Sequence, residues 1–287
     1  MTAHVAEASE NSGRVLVWLD PQSAGVSPAL EASARVAAAY GADIETVVVG
    51  DYSFSQSGDV PLRAVSTTGN GQAITTSIAE MPDVFGLAVR RARRLADRSA
   101  QERKVSARHT GTTGDAIDRL AEMCRQNGPW NIVALTKTSQ AGDSSVISDI
   151  LANVSGATGV IVAGPLHERP SADVVVAIED AERLPSMLRA AERIAGGKGC
   201  IRVLIAAPTR SLHGELEAAA RLAIGARAGF VFEGCAPTFG IDGAIDETLR
   251  ATRAGFVIAR FGGTLLAHGR ALARTLALTR APFLLVR

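Results

Sequence analysis

The sequence predicts an α/β protein made of two tandem doubly wound five-stranded parallel sheets. Short apolar runs alternate with helical segments along the chain, which is the pattern of parallel strands joined by crossover helices. The order of strands and helices restarts after Pro165, which indicates an internal duplication. Aromatic residues make up only 4% of the chain, so Val, Ile, Leu and Ala must fill the core, as is typical of buried parallel strands.

The first half contains five predicted strands and four predicted helices. The strands are expected at residues 15–19, 44–49, 104–109, 132–135 and 160–162, where continuous apolar or β-branched runs occur. The helices are expected at residues 27–41, 82–98, 114–124 and 144–154. Ser27 and Pro28 favour the start of the first helix, because Ser caps helices well and Pro is tolerated in a first turn.

Residues 51–80 interrupt this rhythm with a segment rich in Ser, Thr and Gly. Two short alternating stretches, at 62–67 and 72–76, flank Gly69-Asn70-Gly71, and this arrangement is typical of a β-hairpin. A lid or a disordered insert are the alternatives, because long loops without structure are uncommon in compact domains. As a hypothesis, the insert extends a dimer surface or covers the first-half cleft.

The second half repeats the order without the insert. Its strands are expected at residues 174–178, 201–206, 230–232, 256–259 and 283–286, and its helices at 184–195, 214–226, 244–252 and 265–278. We therefore predict one domain at 14–164, a proline-containing linker, and a second domain at 173–287. The two sheets are expected to be separate rather than one continuous sheet.

The composition limits the classes of function. With 30 basic and 29 acidic side chains among 287 residues, the formal charge is only +1, so the chain lacks the broad positive field that nucleic-acid binding uses. No run approaches the roughly 18 apolar residues of a membrane span, and residues 1–12 lack the apolar run of a secretory signal. We expect a cytoplasmic protein that binds neither nucleic acid nor membrane.

Cysteine and histidine spacing argues against metal and disulfide chemistry. Cys124, Cys200 and Cys235 are far apart and show no C-x-x-C spacing, and the five histidines show neither HxxxH nor HxH spacing. These patterns favour reduced, mostly buried thiols over a disulfide framework or a zinc site. No G-x-S-x-G elbow or other catalytic signature occurs, so we expect no enzymatic activity.

Several local pieces, taken in their duplicated order, resemble the universal stress protein family. They are the strand at 15–20, the helix start at 114–117, the strand at 132–135, the helix start at 144–146 and the small-Pro-apolar strand at 281–286. The resemblance implies that each half is a five-stranded doubly wound domain of the adenine-nucleotide alpha-hydrolase-like group. It also implies that the halves pack as an internal pseudo-dimer through their edge fifth strands, 160–162 and 283–286.

Family members that bind ATP use an acid after the first strand and a loop G-x2-G-x9-G-[ST] after the fourth, so that backbone amides and a helix N-terminus meet the phosphates. By this resemblance Asp20 would meet the ribose or the adenine edge, and Ser145 matches the final Ser. Ser144 occupies the place of the preceding Gly, and Thr136 stands at the first Gly. The intervening loop is short and keeps only Gly142. The candidate nucleotide-binding residues are Asp20, Thr136, Lys137, Gly142, Ser144 and Ser145.

Several of these residues also have a purely structural interpretation that involves no nucleotide. Asp20 also suits a polar strand end, and Ser144 and Ser145 also suit helix capping. In the second half, Glu179 stands at the acid position and Arg260 at the first glycine, with no later G-[ST] pair. The glycine loops are thus eroded in both halves, and more so in the second.

Two further motifs remain open between a functional and a plain interpretation. Residues 111–114, Gly-Thr-Thr-Gly, suit either a phosphate loop or an ordinary strand-to-helix turn. A basic cluster on the second helix comprises Arg90, Arg91, Arg93 and Arg94. It suits either a solvated face balanced by Asp97 and Glu102, or a binding patch for an acidic partner.

From these patterns we predict a non-catalytic stress-response or regulatory protein that acts through dimerisation and partner binding. Its partner would be another protein or a second copy of the chain, and it would need no cofactor. The alternative is a switch that binds ATP or another adenine nucleotide in the first half. An enzyme of the same nucleotide-binding superfamily is a third possibility, which would require measurable ATP turnover.

Overall fold

The computed structural model describes residues 13–20, 23, 25–50, 64–67, 73–76, 81–126, 130–136, 144–163, 171–207, 209–233, 249, 254–261 and 281–287. Strands of the first half are β1 (Arg14–Trp18), β2 (Asp43–Gly50), β3 (Ala64–Thr67), β4 (Ala73–Thr76), β5 (Ala107–Thr113), β6 (Asn131–Leu135) and β7 (Ala157–Val162). Its helices are α1 (Val26–Tyr40), α2 (Met81–Arg103), α3 (Ala116–Gln126) and α4 (Ser144–Asn153).

The second half has the same alternation of elements. It contains β8 (Val174–Ile178), α5 (Leu184–Ala195), β9 (Ile201–Ile205), α6 (Arg210–Ile224), β10 (Phe230–Phe232), β11 (Phe256–Arg260) and β12 (Phe283–Val286). Apart from Leu249, the helices predicted at 244–252 and 265–278 lie outside the described residues.

Ten strands form one sheet in the order β10-β9-β8-β11-β12-β7-β6-β1-β2-β5. All neighbours within each half are parallel. Counted along the chain without β3 and β4, both halves have the spatial order third, second, first, fourth, fifth. This repeated order confirms the predicted fold class, two tandem doubly wound five-stranded parallel sheets.

The two halves meet where β7 pairs with β12 in an antiparallel ladder. The edge strands that were predicted to form the internal interface therefore do pair, but the expectation of two separate sheets is wrong. The backbone N–H and C=O groups of an edge strand need hydrogen-bonding partners. In this protein β7 and β12 supply these partners to each other. Gly159 allows the close approach, because a Cβ at this position would lie 2.9 Å from the carbonyl oxygen of Leu285.

Helices cover both faces of the sheet. One buried cluster lies under α1, α2, α5 and α6, and a second lies under α3 and α4. The strands β1, β6 and β8 are almost wholly buried, as their continuous apolar runs predict. Within the described residues, no helix is both long and apolar enough to span a membrane.

Some element boundaries differ from the sequence prediction. Helix α1 has Gly25 as its N-cap, without a side-chain cap, so Ser27 lies inside the helix rather than at its cap. Strand β5 begins three residues later than predicted and continues through Thr113, because it pairs with β2 as far as Gly50. Gly111 and the two following threonines are therefore strand residues, and the turn is at Gly114, whose φ is 109°.

The insert contains the predicted hairpin. Strands β3 and β4 pair antiparallel, with Ala64 opposite Thr76 and Thr67 opposite Ala73. This pairing confirms the prediction of two short strands around a glycine turn, while residues 68–72 lie outside the described residues.

Arg35 of α1 crosses from the first half into the second. It is only 7% exposed, and its guanidinium donates hydrogen bonds to four carbonyl oxygens, those of Ser171, Ala172, Ile194 and Gly255, at 2.8 to 3.3 Å. Burial lowers the pKa of Arg35 to about 10, with a further lowering by Arg103 and an opposing effect of Asp173. The four carbonyl oxygens thus accept hydrogen bonds from donors that burial removes from water.

Candidate functional site

The candidate site in each half is the crevice at the carboxyl ends of the first and fourth strands. Strand order reverses between β1 and β6 in the first half and between β8 and β11 in the second. Ligands of open α/β sheets bind outside the carboxyl ends of the strands at such a switch point. The residues that follow these four strands therefore decide what each crevice can hold.

Thr136 spans the first crevice. Its side chain is 0% exposed. The Oγ1 atom accepts a hydrogen bond of 2.7 Å from the backbone N–H of Asp20 and donates one of 3.0 Å to the carbonyl of Trp18. The carbonyl oxygen of Thr136 accepts a further hydrogen bond from the hydroxyl of Ser23. These three bonds tie the β1–α1 connection to the end of β6.

This bridge is built on Thr136, the residue at the position of the first glycine in the family's ATP-binding loop. At the first glycine of an ATP-binding loop, the backbone approaches the ligand because no side chain intervenes. Here a side chain occupies that position, and its hydroxyl is bonded to protein on both its donor and acceptor sides. The same hydroxyl also holds the amide of Asp20, the residue expected to meet the nucleoside.

The structure brings together two of the six candidate nucleotide-binding residues, Asp20 and Thr136. Asp20 is partly exposed at the crevice. Lys137 and Gly142 lie outside the described residues. Ser144 and Ser145 form the first turn of α4, and their side chains also lie outside the described part.

An ion pair spans the second crevice at the equivalent position. The pairing of β1 with β6 and of β8 with β11 makes Arg260 the counterpart of Thr136. The Nη1 atom of Arg260 lies 2.6 Å from Oδ2 of Asp180, and Oδ1 of Asp180 accepts a bond of 2.8 Å from the backbone N–H of Arg183. Arg183 in turn donates a hydrogen bond of 2.9 Å to the carbonyl oxygen of Arg287.

Sequence reasoning missed Asp180 and Arg183 as residues of this crevice. It identified Glu179 and Arg260 by their position in the family pattern but gave them no mutual contact. The available signal was the pair of acids after β8, since an arginine at the end of the adjacent strand must lie near them.

A second polar arrangement lies at the outer edge of the first half. Thr46 Oγ1 is 2.7 Å from Nδ1 of His109, whose Nε2 is 2.9 Å from Oδ1 of Asp97. A hydroxyl, an imidazole and a carboxylate in this order resemble a hydrolytic triad. Thr46 is fully buried, so a substrate has no access to its hydroxyl, and the three side chains instead connect β2, β5 and α2.

Metal binding has no support in the part of the chain that the structure describes. No three side chains among its His, Cys, Asp and Glu residues lie close enough together to hold an ion. Cys124 and Cys200 are both free thiols. Burial raises the pKa of Cys124 to about 12, which keeps this thiol protonated and unreactive near neutral pH.

Comparison with known proteins gives the fold but no family. No protein-family model matches the sequence, and no curated protein matches it. Among solved structures, a universal stress protein from Archaeoglobus fulgidus DSM 4304 is similar, with a TM-score of 0.60 and 13% identity over 96% of this chain and 97% of that one.

Two other solved structures are similar at lower TM-scores. A functionally unknown protein from Pseudomonas aeruginosa PAO1 has a TM-score of 0.52 and 16% identity, covering 98% of this chain and 94% of that one. The cytoplasmic domain of a prokaryotic cation chloride cotransporter has a TM-score of 0.53 and 10% identity, covering 96% and 95%. At these identities the likeness establishes that the chain has the fold of universal stress proteins over nearly its whole length.

Proposed function

We propose that this chain is a non-catalytic regulatory protein of the stress-response type, which acts by binding protein partners and does not use a nucleotide. The observation that carries the proposal is the position of Thr136, whose buried hydroxyl closes the first crevice with hydrogen bonds to Asp20 and Trp18. The fold shared with a universal stress protein supports the functional class.

The second crevice supports the same conclusion with different chemistry. The side chain of Arg260 occupies the position equivalent to Thr136 and is neutralised by Asp180 at 2.6 Å. A triphosphate entering here would have to displace this carboxylate from the arginine. Both crevices are thus bridged at the same point of the fold, once by a neutral hydroxyl and once by an ion pair.

We propose no catalytic role for either crevice. Phosphoryl transfer from a nucleotide requires groups that hold its phosphates. Thr136, at the position where the family's phosphate-binding loop begins, has its hydroxyl bonded to protein. We place the protein in the cytoplasm as part of this proposal, since its free thiols suit a reducing compartment.

The experiment is thermal unfolding with and without millimolar ATP and magnesium, repeated with ADP and AMP. A ligand that binds only the native state raises its stability by about 2.7 kcal/mol at a hundredfold excess over Kd. We expect no change in Tm for any of the three nucleotides. A clear increase would overturn the proposal and favour the alternative, an adenine-nucleotide switch.

Two variants then locate any binding that occurs. Asp20→Asn removes the charge at the first crevice, and Arg260→Ala opens the second. If ATP raises the Tm of the wild type but not of Asp20→Asn, the first half is the nucleotide site. As a control for the bridge itself, Thr136→Ser keeps the hydroxyl and should lose only about 0.8 kcal/mol for its buried methyl group, whereas Thr136→Val leaves the Asp20 amide without its acceptor and should lose about 1–3 kcal/mol.

A further inference from the structure

We propose that the exposed arginine stripe of α2, formed by Arg90, Arg91, Arg94 and Arg98, is the docking surface for an acidic, amphipathic segment of a partner protein. The inference rests on the proposed function, since it specifies where a partner binds and what chemistry it presents. Four observations carry it: the geometry of the stripe, its lack of ion pairs within the described residues, the contrast with the equivalent helix, and an exposed leucine within it.

The four arginines lie on one face of the helix. Residues three and four positions apart are neighbours on a helix surface, and Arg94 is three residues from Arg91 and four from both Arg90 and Arg98. All four are exposed, while Ala92, Ala96 and Ala100 form the buried side of the same helix. At 1.5 Å of rise per residue the stripe extends about 12 Å.

Two exposed acids of α2, Asp97 and Glu102, lie beside the stripe, but neither forms an ion pair with it. None of the four arginines forms an ion pair with an acid among the described residues. Asp97, which the sequence suggested as a balancing charge, instead lies 2.9 Å from Nε2 of His109. Like charges four residues apart destabilise a helix by about 0.2–0.5 kcal/mol per pair, so an anionic partner would relieve repulsion that the isolated helix carries.

The equivalent helix of the second half, α6, has surface charges that are paired with one another. Helix α6 follows the second strand of its half as α2 does in the first. There Glu217 pairs with Arg221 at 2.6 Å and also lies 3.8 Å from His213. Surface charges of α6 are therefore paired with one another, whereas the arginines of the α2 stripe form no ion pair within the described residues.

An exposed apolar side chain lies within the stripe and favours a protein partner. Leu87 is 62% exposed and lies three residues before Arg90 and four before Arg91, on the same face of α2. Arginine is enriched in protein interfaces, and its planar guanidinium binds carboxylates in a bidentate manner. A segment with several carboxylates around one apolar residue complements this surface.

Two other anionic partners fit less well. Nucleic-acid binding draws on a wide positive field, and this chain has a formal charge of only +1. A membrane-surface helix needs a broad apolar face that is buried in the lipid interface. In α2 the described apolar side chains at 92, 96 and 100 are buried in the protein's own core, and from residue 86 onward Leu87 is the exposed large apolar side chain on the arginine side.

The test measures binding of a fluorescein-labelled peptide of repeated Leu-Glu-Glu-Ala units by fluorescence anisotropy, at low and at physiological ionic strength. The stripe variant is Arg90→Glu/Arg94→Glu/Arg98→Glu. The matched control, Arg125→Glu/Arg189→Glu/Arg210→Glu, makes the same charge change at exposed positions of α3, α5 and α6. We expect the stripe variant to weaken binding by about tenfold or more, and the control to change it by less than about twofold.

Leu87→Ser tests the apolar part of the surface, and we expect it to weaken peptide binding without changing its dependence on salt. The proposal is overturned if the stripe and control variants weaken binding equally, or if the wild type does not bind the peptide. It is also overturned if single-stranded DNA or phosphatidylserine vesicles bind more tightly than the peptide and lose binding in the same stripe variant.

Folding of the stripe variant is checked by circular dichroism. Arg94→Glu places an acid four residues from both Arg90 and Arg98, so the single variant should melt at the same or a higher temperature than the wild type. If the triple variant does not fold, Arg90→Gln/Arg94→Gln/Arg98→Gln replaces it with the same expected loss of binding. Failure of the proposed function would appear in the melting experiment with ATP, which does not involve α2.

Discussion

Ile161 and Leu284 lie directly opposite each other in the antiparallel ladder of β7 and β12, and each is the structural counterpart of the other. The strand registers of the two halves make Val160 equivalent to Phe283, so Ile161 and Leu284 mark the pseudo-two-fold axis. Both side chains belong to the buried cluster beneath α1 and α5. The two halves therefore share one continuous core on that face of the sheet.

This relationship predicts strong coupling between the two side chains. Ile161→Ala and Leu284→Ala should each reduce the free energy of unfolding by about 2–5 kcal/mol, because each deletes buried methyl groups and leaves a cavity. Urea unfolding of both single variants and the double variant measures the coupling, which we expect to be about 0.5–3 kcal/mol.

Leu216 provides the control for that cycle. It is buried in the same cluster but belongs to α6, which packs on β9 at the far side of the second half. Leu216→Ala combined with Ile161→Ala should be additive within about 0.5 kcal/mol. Additive behaviour of the Ile161 and Leu284 variants as well would contradict a shared core at the junction.

Arg35 should be a major contributor to the association of the halves. Arg35→Lys retains a charge but loses the fork of donors that reaches four carbonyls. We expect it to lower the free energy of unfolding by about 2–3 kcal/mol, since buried acceptors are left without donors. Urea unfolding monitored by circular dichroism measures the change.

Arg193 is the matched control for Arg35. It lies in α5, is exposed, and has its guanidinium carbon 4.9 Å from the centre of the Tyr40 ring. Arg193→Lys removes only part of an exposed cation–π contact, so it should change stability by less than about 1 kcal/mol. Equal losses for the two variants would show that the four carbonyl bonds of Arg35 add nothing.

Cys124 should make stability fall in mildly alkaline solution. Burial raises its pKa from 9.0 to about 12. Between these values the unfolded chain has released a proton that the native protein still holds, so the unfolded state gains stability as pH rises. This group alone contributes a loss approaching about 1.4 kcal/mol per pH unit above pH 9.

The measurement compares wild type with Cys124→Ala by urea unfolding between pH 8 and pH 10. The variant will have a different stability at pH 8, because it lacks the buried sulfur atom. The comparison uses the slope of the free energy of unfolding against pH, which we expect to be shallower in the variant. Parallel stability curves would mean that the Cys124 thiol ionises as readily in the native protein as in the unfolded chain.

The strands were predictable because they are buried on both faces. The observed β8 contains the same residues as its prediction, Val174–Ile178, since a continuous apolar run bounded by polar residues leaves little choice of position. Strand β5 was predicted less well. It lies at the sheet edge and contains Arg108, His109 and several threonines, so its extent depends on pairing with β2 and not on a hydrophobic pattern of its own.

The candidate site was predictable only in outline. Asp20 and Thr136 follow strands that the doubly wound order places side by side, so their proximity could be inferred from the family resemblance. The bonds of the Thr136 hydroxyl could not, since they depend on the course of the β1–α1 connection. The partner of Arg260 is likewise set by the adjacent strand end, where Asp180 rather than Glu179 accepts its charge.

The sequence by itself determined the duplicated α/β order, the two sets of five strands and the identity of the edge strands that meet. The order and the strands follow from local apolar patterns, which repeat in each half, and the meeting of the two edge strands follows from the resemblance to universal stress proteins. The tertiary structure alone decided that the two sheets become one, that Arg35 enters the second half, and that the Thr136 hydroxyl bonds to Asp20 and Trp18. Each of these contacts joins residues more than a hundred positions apart, and their pairing depends on how the packed halves orient backbone groups toward one another.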